Sequence, residues 1–164
     1  MLRTGHKLGI DANRPVVVGG TQQGALSPTV ADPSLIADTG AGWVRINMVL
    51  GPWDGPLDTT QYQGRTWAEA YDAIISGFLA KGLAVYGLIG HESVREDPGD
   101  RFRLPPEQLS RDAVRSADDW IRTYVDIFVT IVRRYHDRVK VFESFNEPDD
   151  WRGADRNWIH PAWF

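Results

Sequence analysis

The apolar positions along the chain alternate between short β-branched runs and longer stretches with helical spacing. The run "PVVVGG", residues 15–20, is bounded by Pro and Gly and predicts a first strand. Pro33 suits a first helical turn and Gly40 a helix end, which predicts a short helix over 33–39. "WVRINMVL", 43–50, predicts the second strand, and "GPWDGPLD", 51–58, a Gly/Pro loop. From Thr66 to Lys81, apolar residues such as Trp67, Tyr71, Ile74, Ile75 and Phe78 recur every three or four positions. That spacing predicts an amphipathic helix closed by Gly82. "LAVYGLIG", 83–90, is the third strand by the same criteria, and 91–110 reads as a long polar loop, a length usually tied to function or mobility. A second amphipathic helix runs from about Ser116 to Tyr135, and "VKVFESF", 139–145, predicts the fourth strand. "NWIHPAWF" reads like the start of a further helix.

Strands alternating with helices imply βαβ units and a parallel sheet. Two architectures share this order: an open doubly wound sheet, and part of a (β/α)8 barrel. A full barrel needs ~250 residues. Four strands in 164 residues amount to about half of one, a single partial domain over 1–164.

Composition narrows the classes. The chain is 42% hydrophobic and 24% charged, an ordinary globular balance. A net charge of −4 argues against nucleic acid or an anionic membrane as partner, since both need a basic face. No apolar run approaches the ~18 residues of a membrane span. The N-terminal stretch has no apolar core of a secretory signal, so the cytoplasm is the default expectation. With no cysteine there is no disulfide framework and no thiolate metal site. The seven tryptophans are unusual, and Trp53, Trp151, Trp158 and Trp163 fall in segments read as loops or chain end.

"VVVGGTQQGALS" invites a nucleotide-binding reading, because a glycine turn after a strand can cradle phosphate. The spacing excludes it. Gly19 and Gly24 have P-loop separation, but Ala25 and Leu26 stand where Lys and Ser/Thr are needed. A metal site would have to use His91, Glu92, Glu143 and Glu147. The histidines are scattered, and "HESVR" is not H-E-x-x-H. No metal or other cofactor is expected.

"FESFNEP", 142–148, is the richest stretch. It carries a glutamate inside an apolar strand and ends on an amide and a second carboxylate. In parallel α/β folds ligands sit at the C-terminal ends of strands, where Glu147 falls. Pro148 removes a backbone donor and pushes Glu147 toward extended geometry, so the carboxylate is rigidly mounted. Without a bulge, strand parity places Val139, Val141, Glu143, Phe145 and Glu147 on one face. Glu143 would then be a buried acid needing a partner, for which Arg45, two strands away, is the candidate.

This stretch resembles the fourth-strand motif of the clan A glycoside hydrolases, the retaining (β/α)8 enzymes. Its F-E-x-x-N-E-P form is similar to family 5 and especially family 39. The resemblance implies that Glu147 is the general acid/base and that Asn146 hydrogen-bonds the sugar 2-hydroxyl. "VRIN" resembles the second-strand motif whose arginine lies low in the pocket, here Arg45. "LIGH" ends the third strand with a histidine, as in many family 5 members, here His91. The succession Arg45, His91, Asn146-Glu147 on consecutive strand ends is more specific than any one of them. Trp53 and Trp151, in strand-end loops, are candidates to stack on sugar rings.

The implied chemistry needs one carboxylic acid to protonate the leaving oxygen and a second carboxylate as nucleophile, across an oxocarbenium-like transition state. In clan A the nucleophile is a glutamate at the end of the seventh strand, and no residue here matches it. Glu92 is a formal substitute, but adjacent strand ends would bracket the sugar poorly. The expectation is therefore a glycosidase-like half barrel for β-linked carbohydrate, inactive alone. The alternative is a non-catalytic carbohydrate-binding or interaction module derived from such a barrel. A half barrel also exposes two sheet edges and an apolar inner face, from which self-association is expected.

Overall fold

The computed structural model describes residues 8–12, 32–48, 61–62, 65–90, 101–145 and 159–163. Four strands form one sheet: β1 (Gly9–Asp11), β2 (Trp43–Asn47), β5 (Ala84–Ile89) and β6 (Val139–Ser144). All neighbouring pairs are parallel, in the order β1-β2-β5-β6. Helices α1 (Pro33–Asp38), α2 (Trp67–Ala80) and α3 (Arg111–Tyr135) connect them. A two-stranded antiparallel ribbon, β3 (Gln61–Tyr62) and β4 (Arg65–Thr66), leads into α2.

Two features decide between the architectures left open by the sequence. Among the described strands, sheet order follows chain order, with no switch point at which a doubly wound sheet reverses. The described helices also pack on one face. Ile36 of α1, Tyr71, Ile75 and Phe78 of α2, and Ile131 and Tyr135 of α3 share one buried cluster with Val44, Ile46, Val85 and Val139. The fold is thus α/β, built of parallel βαβ units wound in one direction, as in the first half of a (β/α)8 barrel.

Local chemistry sets the helix limits. Asp32 caps α1, its Oδ1 accepting from the Ser34 N–H at 2.7 Å, and Pro33 occupies the first turn. Thr66 and Glu69 form a reciprocal capping box at the start of α2. Gly82, at φ 80°, provides the left-handed residue that ends it. α3 begins five residues before the expected Ser116, because the Ser110 hydroxyl accepts from the Ala113 N–H at 3.2 Å and starts the helix there. The expected C-terminal helix is a short 3-10 turn at Pro161–Trp163.

The first sheet position belongs to Gly9–Asp11, a stretch with a single large apolar residue, which periodicity does not reveal. Its place depends on Gly9: a Cβ there would collide with the Trp43 ring lying across it. The expected strand at 15–20, with Gly19 and Gly24, lies outside the described residues.

Candidate active site

The face of the sheet opposite the described helices carries Asp11, Arg45 and Glu143. Register sets Asp11 beside Arg45, Arg45 beside Tyr86, and Leu88 beside Glu143. Arg45 spans the sheet. Its Nε and Nη2 donate to the two carboxylate oxygens of Glu143 at 2.7 and 3.0 Å, and its Nη1 donates to Asp11 Oδ2 at 2.7 Å. Glu143 lies two strands from Arg45, roughly 10 Å across a sheet, so the long guanidinium crosses over β5 to reach it. The hydrogen bond to Glu143, the largest cause, and the charges of Glu143 and Asp11 hold the Arg45 pKa above its already high value against the opposing effect of burial. Arg45 is locked as a cation in a two-sided, fork-shaped contact.

The Arg45–Glu143 pair expected from the sequence therefore forms. The picture of Glu143 as a buried acid does not hold, since its side chain is 45% exposed. The parity argument also fails, at both ends of β6. Val85 pairs with Val139 and Tyr86 with Val141, so Lys140 is an extra residue, a bulge that turns Val139 into the helix-side core. At the other end Phe145 has φ 61°, and its ring packs with Ala117 and Trp120 of α3 rather than beside Glu143. A left-handed Phe costs on the order of 1–3 kcal/mol, so surrounding contacts must hold it. Nor is the open face simply apolar. Beside exposed Val141 and the stacked Trp43–Tyr86 pair, 4.9 Å between centroids, it carries the Asp11–Arg45–Glu143 bridge.

Asn47 was not singled out from the sequence, although "RIN" puts it on the face of Arg45 by parity. It ends β2, is only 9% exposed, and its Oδ1 has no hydrogen-bond partner among the described residues. Its backbone carbonyl accepts from the Tyr71 hydroxyl at 2.7 Å, which pins the strand end to α2. Asp11 and Phe145 are the other contributors that sequence reasoning missed. Neither a three-residue strand nor a left-handed Phe leaves a readable signal.

Of the sequence-derived site residues, Arg45 lies within the described structure. Trp53, His91, Asn146, Glu147 and Trp151, and the weighed Glu92, lie outside the described residues. β6 runs parallel to β2 and β5, and its C-terminal end leads directly into Asn146-Glu147. Among the described residues no group of three or more His, Cys, Asp or Glu could hold a metal ion.

No protein-family model matches the sequence, and no curated protein does. Solved structures do match. The structure of Fpglu1 from Fervidobacterium pennivoraus is 18% identical, with 80% of this chain and 33% of that chain covered at a TM-score of 0.50, a likeness of fold. A rice Os3BGlu6 β-glucosidase is 27% identical over 71% of this chain and 22% of its own, at a TM-score of 0.45. A family 1 β-glucosidase from Thermotoga maritima is 21% identical over 71% of this chain and 24% of its own, at 0.46. The chain spans a third or less of the length of each of these structures.

Proposed function

We propose that this chain forms the part of a retaining glycoside hydrolase barrel that carries the general acid/base, acting on β-linked carbohydrate. The observation that carries the reading is the exit of "FESFNEP" from the fourth strand of a singly wound parallel sheet, with Glu143 of that motif bonded to Arg45 of "VRIN". The two motif matches, 98 residues apart, meet on the face that a barrel turns inward. Similarity in fold to the Fervidobacterium structure supports the barrel, and the finer likeness to families 5 and 39 rests on motif spacing.

In this reading Glu147 protonates the glycosidic oxygen and then deprotonates water. Asn146 holds the sugar 2-hydroxyl, and His91, Trp53 and Trp151 line the substrate. Arg45 sits one layer below, a fixed positive charge that favours ionised carboxylates near it. The nucleophilic carboxylate is expected outside the strands described, so turnover requires a second segment to supply it.

The test is leaving-group dependence. Aryl β-glycosides with good leaving groups need little protonation, whereas alkyl glycosides need it fully. Hydrolysis is measured for the chain, alone and with a complementing second barrel half, with Glu147→Gln in parallel. Loss of about 10²–10⁴-fold in kcat/KM on poor leaving groups is the expected outcome, with kcat/KM of good ones largely spared while their kcat falls because water is no longer deprotonated. Equal rates for parent and variant on poor leaving groups would remove Glu147 from the acid role. Binding of β-linked oligosaccharide with no turnover in any combination would favour the carbohydrate-binding module.

A further inference from the structure

Phe145 is the only non-glycine residue with positive φ among the described residues. Positive φ is a genuine outlier for a bulky side chain, and such strain persists only where the surroundings over-determine it. Here they do. The ring is 8% exposed and lies 5.4 Å from the Tyr124 ring and 6.0 Å from that of Trp120. Phe102 and Trp163 extend the same aromatic cluster. The backbone is held as well: the Phe145 N–H donates to the Ile89 carbonyl at 3.2 Å, and the Tyr124 hydroxyl donates to that same oxygen at 2.7 Å. One carbonyl at the end of β5 thus ties the end of β6 to α3.

The consequence is geometric. In regular extended backbone, residues two apart share a face, so the Phe145 ring would stand beside Glu143 on the open side. The left-handed turn sends it into the α3 side instead, away from Glu143 and Arg45. The next residues are Asn146 and Glu147.

We propose that Phe145 is a positioning residue: clamped left-handed by Trp120, Tyr124 and the Ile89 carbonyl, it fixes the direction in which the chain leaves β6 for Asn146-Glu147. The proposal rests on the reading of that pair as site residues. It assigns to a hydrophobic side chain a role in aiming a carboxylate, distinct from its contribution to the core.

The test reads Glu147 directly. Carboxyl ¹³C NMR of the 164-residue chain follows the titration of Glu147, with its signal assigned by Glu147→Gln. Phe145→Gly keeps the left-handed backbone accessible and removes the ring; Phe145→Ala removes the ring and disfavours that backbone. Both are expected to move the Glu147 midpoint by about half a pH unit or more, Ala further than Gly, because a displaced carboxylate meets different neighbours. Trp120→Phe loosens the clamp from α3 without touching β6 and is expected to move it in the same direction. It carries the test where the Phe145 variants do not fold. Variants that lower the melting temperature while Glu147 titrates as in the parent would overturn the proposal and leave Phe145 a packing residue. A parent Glu147 titrating in the ordinary carboxylate range, yet moving in the variants, would keep the positioning role and count against the acid/base reading instead.

Discussion

The two faces of the parallel sheet solve different problems with alternate residues of the same strands. In β2, Val44 and Ile46 are fully buried under the helices, while the alternating Arg45 and Asn47 face the open side. The helix side is mostly apolar: Tyr71 and Tyr135, both fully buried, each place the hydroxyl on a backbone carbonyl, although Arg134 Nε is buried there without a partner among the described residues. The open side holds an arginine fixed by two carboxylates and a buried amide oxygen without a partner among the described residues. Stability is concentrated where burial and satisfied polar groups coincide. On the open side the charged groups are partly exposed, so solvent screens their contacts.

The largest effect that would break this comparison comes from the helix side. Phe78 of α2 is fully buried in the main cluster. Phe78→Ala is expected to cost about 3–5 kcal/mol in urea unfolding, from lost transfer energy and a cavity. A cost below about 1 kcal/mol would mean that this side is not the stabilising core.

Tyr135→Phe is next. It removes the hydroxyl bond to Ala68 O at 3.3 Å and should cost about 1 kcal/mol. It also has a pH signature. Burial first, then the charge of Asp72, pushes the Tyr135 phenol well above its ordinary range, against weaker opposing effects of Arg134 and Arg138. The folded state keeps the proton while the unfolded chain loses it near pH ~10. The contribution is therefore fully present below that pH and is lost as pH rises through the folded value. Unfolding free energy measured between pH 8 and 11 should fall less steeply in Tyr135→Phe than in the parent, and identical slopes would contradict the assignment.

On the open side, Arg45→Met breaks both ion pairs. Glu143 and Asp11 are about half exposed, so solvent screens the contact, and the expected loss is about 1 kcal/mol at low salt, shrinking as salt is added. A salt-independent loss of about 3 kcal/mol or more would show that the bridge is structural and that the two faces do not divide the work.

How much of this was legible in the sequence follows the same division. Periodicity found α2, β2, β5 and the existence of α3 because burial on the helix side imposes regular spacing. Pro33 and Gly82 marked helix ends through their own backbone limits. The pairing of Arg45 with Glu143 was expected on the premise of a buried acid; it forms although Glu143 is 45% exposed, because both side chains stand on the same face of the sheet. The misses have physical causes. Gly9–Asp11 is too short to show a period, and Ser110 starts α3 within a stretch read as polar loop. The bulge at Lys140 and the left-handed Phe145 break the two-residue alternation from which the face of Glu143's neighbours was inferred. Both are set by tertiary contacts, to β5 and to α3, that no local pattern encodes.

The smallest expected effect sharpens the comparison most, because its sign is reversed. A buried carbonyl oxygen without a donor costs about 1–3 kcal/mol of desolvation, so removing it can stabilise. Asn47→Leu keeps a side chain of similar size at the end of β2 and removes that oxygen. The unfolding free energy is expected to be unchanged or higher by up to about 1 kcal/mol, opposite to every substitution on the helix side. Urea unfolding of parent and variant checks it. A loss of about 2 kcal/mol or more would show that the amide is bonded as part of the framework. A gain would mark Asn47 as a position where the chain retains a cost to stability on the open side of the sheet.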